Sequence, residues 1–432
     1  MRLIELPIIL VALIAAAAAS FLLTPLAMRF ARLTGALDTP DYSRRVHSLP
    51  IPRAGGLAVV LAFLAVGVIT MLLSAGPASP TSGPFPFRYA WAGDQMSRDQ
   101  LLALLIGTGL AAAFGFIDDR WQIRARWQLI FQLCLAGLAV YFGVTIMSIN
   151  NPLDFMGGLM QDPIVFATSS AQPVTVASAF VTTLWIVGMI NSINFIDGLD
   201  GLSVGVALIA ALTLGLISLS DNVGEYTPMV ALLCAALGGA LAGFLPWNFY
   251  PARIFIGTTG VMAVGYALAV LSILGTAKIA VAMLVLGVPI IDTFWIITRR
   301  LASRRSPFTP DRGHIHHRLL DLGLTHRGAV LLIYGICASL AVASIVLAGG
   351  SGPLYAFMAI VIASGVLLLL LTFRSGADEA LEASSYPDDL DATAPPPGDE
   401  LARAREDGQG VPARRPPDRS GRLPVDESRS KV

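Results

Sequence analysis

Charge is scarce in this 432-residue chain: Asp, Glu, Lys and Arg together make up 13% of it, against roughly 25% in an ordinary globular protein. Apolar residues reach 55% and the mean hydropathy is +0.70, more apolar surface than a soluble core can hide from water. A set of soluble domains is excluded and a membrane protein implied. An excess of either charge is also missing. Basic and acidic residues each number 29, which excludes a uniformly basic nucleic-acid binder and a strongly acidic chain. Cysteine is rare as well. Cys134, Cys234 and Cys337 each lie in an apolar run, where a thiol packs as a small hydrophobe, so neither a disulfide framework nor a cysteine zinc site is implied.

What is abundant is runs of about 20 apolar residues, the length that crosses the hydrocarbon of a bilayer. Eleven candidates fall near 5–27, 55–75, 100–117, 128–148, 175–196, 200–218, 228–247, 258–275, 277–298, 328–349 and 354–373. The first has no small-residue cleavage site and reads as a retained span. The eighth and ninth meet at Gly275 with almost no loop, so one of that pair is a candidate re-entrant segment. Of the 20 basic residues before position 374, 16 flank the spans on the side of the odd-numbered loops. By the positive-inside rule those loops are cytoplasmic. The expected fold is an all-α polytopic membrane bundle of about 11 transmembrane helices, N-terminus outside and C-terminus cytoplasmic. Residues 1–373 form the membrane domain. The final 59 residues carry 9 basic and 13 acidic side chains, are rich in Pro and Ser, and are expected to be a disordered cytoplasmic tail. The outer segment 76–98 reads as a plain loop.

The polar residues concentrate on that inner side. All five histidines (His47, His314, His316, His317, His326) belong to it, which suggests a site where a water-soluble reactant meets a lipid-borne one. A transporter would instead keep ionisable groups near the midplane. In GFIDDR, Asp118 and Asp119 are adjacent carboxylates that repel unless a cation or a shared proton relieves them; the bland alternative is a solvated helix end beside Arg120. In NSINFIDGLDGLS, Asn191, Asn194 and Asp197 share a helical face, and glycines at 198 and 201 permit a tight break around Asp200. Such a face suits a metal, a ribose or a base edge. In PFTPDRGHIHHRLLDLG, Arg312, His314, His316, His317 and Arg318 crowd donors suited to diphosphate oxygens; a zinc site or an ordinary surface loop are the alternatives. The stretch 38–56 combines Asp38, Asp41, Arg44, Arg45, His47 and Arg53 before Gly55 and Gly56, and reads either as function or as a topology determinant touching anionic lipid.

In order, these stretches resemble the polyprenyl-phosphate N-acetylhexosamine-1-phosphate transferases, a family that includes the peptidoglycan phospho-MurNAc-pentapeptide transferase. The similarity covers most of 30–330: DxPxxxRxxHxxPIPRxGG at 38–56, GxxDD at 115–119, NxxNxxDGxDGL at 191–202, NFxPAxxFxG at 248–257 and HIHH at 314–317. The HIHH form resembles the UDP-GlcNAc branch. The resemblance implies an enzyme of the bacterial inner membrane, its active site facing the cytoplasm. Such an enzyme transfers a sugar-1-phosphate, GlcNAc-1-phosphate first among them, from a UDP-sugar to undecaprenyl or another polyprenyl phosphate. UMP is released and a cell-envelope glycan is begun. It also implies Mg²⁺, or Mn²⁺ in its place, no nucleic acid, and a homodimer as one assembly open to it. The roles implied are catalytic for Asp118, Asp119 and Asp197, and metal-binding for Asn194 and Asp197. Substrate binding falls to Asn191, Asp200, Arg253, His314, His316, His317, Arg318, Arg45 and His47. Asp292 also resembles a family position, with a salt-bridge or packing role as the alternative.

One departure stands out. The family pattern FMGDxGS places a metal-ligating Asp where this chain, reading FIGTTGVM, has Thr258. A hydroxyl is a weaker ligand than a carboxylate for a hard cation. Either Asp197 or the 118/119 pair takes over the metal, or a different metal or substrate arrangement operates, or catalysis has been lost and only lipid-phosphate or nucleotide-sugar binding remains.

Overall fold

The computed structural model describes residues 6–38, 50–74, 96–149, 164–165, 174–220, 227–274, 278–302, 319–320, 322–347, 355–360 and 362–363. The polar tail, all but the end of the segment 76–98, and the stretch holding His314, His316, His317 and Arg318 lie outside the described residues, as do Arg45 and His47.

Eleven α-helices occupy the described residues: α1 (Leu6–Thr34), α2 (Gly56–Ser74), α3 (Arg98–Trp121), α4 (Ala125–Tyr141), α5 (Val176–Ile196), α6 (Leu202–Ser218), α7 (Pro228–Asn248), α8 (Gly257–Ile273), α9 (Lys278–Val285), α10 (Gly287–Ala302) and α11 (His326–Val346). Six of them, α1, α2, α3, α5, α7 and α11, are long and apolar enough to cross a membrane, and α4, α6 and α8 are shorter apolar helices. The chain is therefore a multi-pass helical membrane protein. Among the described residues, strand is confined to two short antiparallel pairs, β1 (Leu37–Asp38) with β2 (Ile51–Pro52) and β3 (Ser148–Ile149) with β4 (Ile164–Val165).

The apolar residues divide by position in the bundle. On α1, Leu10, Val11, Ile14, Leu22 and Leu26 are exposed, as are Leu61, Ile69 and Leu72 on α2; such faces are at home in lipid, not water. At the centre α8 is buried along almost its whole length, packed by α3, α5 and α2. Because lipid is as apolar as leucine, helices associate there through close packing of small residues. Gly239 and Gly243 on α7 show this: a Cβ on them would stand 2.1 Å from the Leu13 carbonyl oxygen and 2.0 Å from that of Ala17. The backbones of α1 and α7 therefore touch where any larger residue would hold them apart.

Helix ends differ from the sequence expectation at three places. α1 continues past the predicted boundary at 27 to Thr34. The apolar run beginning at 128 leaves the helix at Tyr141. The run 277–298 is two helices divided at Leu286, where Gly287 and Pro289 follow. Proline has no N–H to continue the ladder and clashes with the preceding turn, so an unbroken apolar run becomes two helices. Residues 275–277 lie outside the described residues, and the eighth run stands as a regular 17-residue helix.

Candidate functional site

Asp118 and Asp119 end α3, and both are buried, at 8% and 4% exposure, so neither is the solvated helix end that GFIDDR alone allowed. Their mutual repulsion is relieved by sending the side chains to different partners. Asp118 Oδ1 accepts from the Ile123 backbone N–H and from Gln128 Nε2, both at 2.8 Å, tying the turn between α3 and α4. Asp119 reaches the start of α8. Its Oδ1 accepts from Thr258 N at 2.8 Å, and its Oδ2 from Thr259 N at 2.9 Å and Thr259 Oγ1 at 2.6 Å. The first amides of a helix have no partners within it and lie at the positive end of its dipole, so this carboxylate caps α8 from another helix.

The approach is close because glycine lines it. Gly257 opens α8 at φ +69°, and a Cβ there would meet the Arg53 carbonyl oxygen and the Asp119 carboxylate. On the facing chain, a Cβ on Gly56 would fall 2.1 Å from Gly260 N. Backbone hydrogen bonds from Phe255 N to Pro52 O, Gly55 N to Phe255 O and Gly56 N to Ile256 O, at 2.8–3.0 Å, join these stretches. Arg53 is thereby carried into the acidic site. Its Nη1 is 3.4 Å from Asp38 Oδ1 and its Nε 3.9 Å from Asp119 Oδ1.

The turn from α5 into α6 supplies the next acids. Asp197 Oδ1 accepts from Ser203 Oγ at 2.5 Å. Burial pushes the Asp197 carboxyl up to about 6, against the Ser203 hydrogen bond and the Arg53 charge, while Asp119 and Asp200 add to the rise. The charges of Arg53, Asp119 and Asp200 thus all reach Asp197. Asp200 accepts at Oδ2 from Ala252 N at 2.9 Å, and its own N–H donates to His326 Nε2 at 3.0 Å. An acceptor Nε2 requires the imidazole proton on Nδ1. His326 also stacks on Tyr250, ring centroids 4.4 Å apart, and Arg327 donates to the Tyr250 carbonyl oxygen.

These contacts bring together all five loops that the basic residues placed on one side. Loop 1 meets loop 7 through Pro52 and Phe255, loop 3 meets loop 7 through Asp119, and loop 5 meets loops 7 and 9 through Asp200. Of the predicted residues, Asp118, Asp119, Asp197 and Asp200 gather there. Asn191 donates its amide to Gln132 Oε1 at 2.7 Å and to the Val187 carbonyl oxygen, a link between α4 and α5. The Asn194 side chain, half-buried, makes no hydrogen bond among the described residues, and neither does the Thr258 hydroxyl. Arg253 is exposed, with its guanidinium 5.7 Å from the Trp247 ring centroid. Asp292 is buried on α10. Among the described residues no three His, Cys, Asp or Glu side chains form a metal cluster. Arg53, named from sequence only as one member of the 38–56 stretch, belongs to the site. Ser203, Thr259 and Gln128 belong to it as well and carried no signal in the sequence.

An apolar helical bundle with carboxylates and arginines drawn to one end defines a membrane protein built to handle charged groups at the bilayer surface. The family described as glycosyl transferase family 4 matches residues 101–276. A Bacillus subtilis protein named probable undecaprenyl-phosphate N-acetylglucosaminyl 1-phosphate transferase is 34% identical over 345 residues, covering 78% of this chain and 85% of the relative. The decaprenyl-phosphate N-acetylglucosaminephosphotransferase of Mycolicibacterium smegmatis is 36% identical over 383 residues, covering 83% and 86%. The undecaprenyl-phosphate alpha-N-acetylglucosaminyl 1-phosphate transferase of Escherichia coli is 25% identical over 337 residues, covering 74% and 80%. The chain belongs to glycosyl transferase family 4 and is a glycosyl-1-phosphate transferase.

Proposed function

We propose that this protein transfers GlcNAc-1-phosphate from UDP-GlcNAc to a bacterial polyprenyl phosphate, releasing UMP and starting an envelope glycan, with its active site on the cytoplasmic side of the inner membrane. The observation that carries the reading is the meeting of Asp118, Asp119, Asp197, Asp200 and Arg53 at one end of the bundle. The names of its relatives and the basic flanks of the same loops support it. In the reaction an oxygen of the lipid phosphate bonds to the sugar-bearing phosphorus while the bond from that phosphorus to UMP breaks. Phosphoryl transfer of this kind asks for positioning and charge neutralisation above all.

Asn194 and Asp197 are the residues that would hold Mg²⁺ or Mn²⁺. They stand about one helical turn apart. Among the described residues the Asn194 amide is unbonded, and the Ser203 hydrogen bond falls on only one oxygen of Asp197. A carboxylate and an amide oxygen suit a hard cation that completes its shell with water and substrate phosphates. When bound, the ion supplies positive charge between two anionic reactants. Asp118, held at Oδ1, leaves its other oxygen to take a proton from an acceptor phosphate that arrives protonated. Asp119 fixes α8 and with it Thr258. Arg253 and the histidine stretch supply charge to the phosphates, and Asp200 holds the loop that carries Arg253.

Purified protein given UDP-GlcNAc, undecaprenyl phosphate and Mg²⁺ is expected to release UMP in a coupled assay. Absence of UMP across a panel of UDP-N-acetylhexosamines would defeat the proposal.

A further inference from the structure

One face of α11 closes on the turn between α5 and α6. Residues 197–201 make that turn, and it carries both Asp197 and Asp200. His326 and Tyr334 stand on α11 at a spacing of i and i+8, which keeps two side chains on one helical face. They take consecutive residues of the turn by opposite groups. His326 Nε2 accepts the Asp200 N–H at 3.0 Å, and the Tyr334 hydroxyl donates to the Gly201 carbonyl oxygen. Glycine cuts the seat for the tyrosine: a Cβ on Gly205, in the first turn of α6, would lie 2.0 Å from Tyr334 Cζ. Thr325 caps α11, its Oγ1 accepting from Gly328 N at 3.1 Å, so His326 sits in an ordered first turn. Its ring lies against Tyr250 with 24° between the planes, and Arg327 holds the carbonyl oxygen of the same tyrosine.

Asp200 is 6% exposed, so water does little for its N–H and a protein acceptor must serve it. Histidine meets two needs at once there: an unprotonated ring nitrogen takes the N–H, while the flat ring covers Tyr250 of loop 7. The other end of the turn is fixed by Ser203 on Asp197. We propose that His326 is a positioning residue: by accepting from Asp200 while stacking on Tyr250 it sets the turn that bears Asp197 against loop 7, and turnover depends on its acceptor nitrogen without any contact to substrate. A displacement of about 1 Å can cost about a hundredfold in rate, which is how a tie outside the chemistry reaches the rate. For that effect the inference rests on the proposed transferase reading; the clasp itself does not.

Two variants of the full-length protein separate the two needs. His326→Gln puts an amide oxygen near the place of Nε2 and drops the ring, whereas His326→Phe keeps a ring for Tyr250 and drops the acceptor. With UDP-GlcNAc and undecaprenyl phosphate in detergent, His326→Phe is expected to lose about ten- to a hundredfold in kcat. KM for both substrates should stay within about twofold of the parent, and kcat of His326→Gln within about threefold. Hydrogen–deuterium exchange of the amides of 197–203, read without turnover, is expected to quicken in His326→Phe and not in His326→Gln. A Phe variant as fast as the parent, a Gln variant as slow as the Phe variant, a loss confined to KM, or equal exchange in all three overturns the proposal. Should His326→Phe fail to fold, Tyr334→Phe keeps its ring in the glycine seat and loses only the hydroxyl. It is expected to quicken the same exchange and lower kcat, and no change in either overturns the clasp. UMP release equal in parent and variants sinks the clasp alone. No UMP from any UDP-sugar, with exchange quickened only in His326→Phe, sinks the transferase reading alone.

Discussion

Asp119 on α3 holds the first amides of α8 through both carboxylate oxygens, at 2.8 Å from Thr258 N and 2.9 Å from Thr259 N. The neighbouring Asp118 has a different task, so two residues that read as a pair act on separate elements. Their substitutions should therefore behave differently. Asp119→Ala leaves buried helix amides without an acceptor, and a hydrogen bond to a charged group is worth about 1.5–3 kcal/mol. Thermal unfolding in detergent should show a large drop in midpoint for this variant. Asp118→Asn can still accept at Oδ1 and should melt near the parent while losing turnover by about a hundredfold or more. Equal melting losses in the two would contradict this division of labour.

Thr258 stands at the start of α8, its hydroxyl unbonded among the described residues, where the resemblance implies a carboxylate. If Asn194 and Asp197 hold the cation, the unmutated enzyme turns over. Thr258→Asp should then lower the Mg²⁺ concentration giving half-maximal rate by about tenfold, the effect of roughly 1.4 kcal/mol, with little change in kcat. Mg²⁺ titration of both proteins after EDTA treatment reads this directly. A near-silent parent rescued only by Thr258→Asp would place the essential ligand at 258.

The raised Asp197 carboxyl gives the pH dependence. Burial lifts it from 3.8 to about 6, so the ionised form that can bind a cation prevails only above that pH. Activity should fall as pH is lowered through about 6. The stability effect has the opposite sign: the folded chain holds this proton more tightly than the unfolded one, so stability from this group is lost as pH rises from 3.8 towards 6. Ser203→Ala removes a donor that favours the charged form and should move the acid limb of the pH–rate profile upward. An unmoved limb would separate Asp197 from the rate.

At the contact of α1 and α7, Gly243→Leu would place side-chain atoms against the Ala17 carbonyl, which a Cβ alone already approaches to 2.0 Å. Overpacking of this kind costs typically about 1–3 kcal/mol. Gly243→Leu should lower the yield of monodisperse protein in size-exclusion chromatography, whereas Gly137→Ala, where a Cβ meets nothing within 4 Å, should not.

Much of the architecture was readable from composition. Apolar runs mark helices because a bilayer admits almost no other backbone arrangement, and ten of the eleven runs begin within a few residues of a described helix start, the run at 354 being described only in part. The break at Leu286 is not legible in the apolar run because hydropathy counts apolar residues and is blind to a missing N–H. The acidic stretches stood out because carboxylates and amides beside apolar spans are costly without a task. Their partners did not stand out. Asn191 reads as a site residue on its helical face, but only the packing of α4 against α5 brings it to Gln132, 59 positions away. Arg53 reads from sequence as either function or a basic flank, and only the ladder at Pro52 and Phe255 lays it beside Asp38 and Asp119.

The sequence by itself determined that this chain lives in a membrane as a helical bundle, which of its loops share a side, and what kind of chemistry its polar residues suit. Those properties depend on residue type and local spacing. Only the tertiary structure decided how the acids divide their work, with Asp119 spent on a helix 139 positions away, Asp200 clasped between Ala252 and His326, and Arg53 drawn among carboxylates. The reason is physical: a hydrogen bond is satisfied by whichever donor lies within about 3 Å, and that neighbour is chosen by how helices pack, not by how far apart the residues lie along the chain.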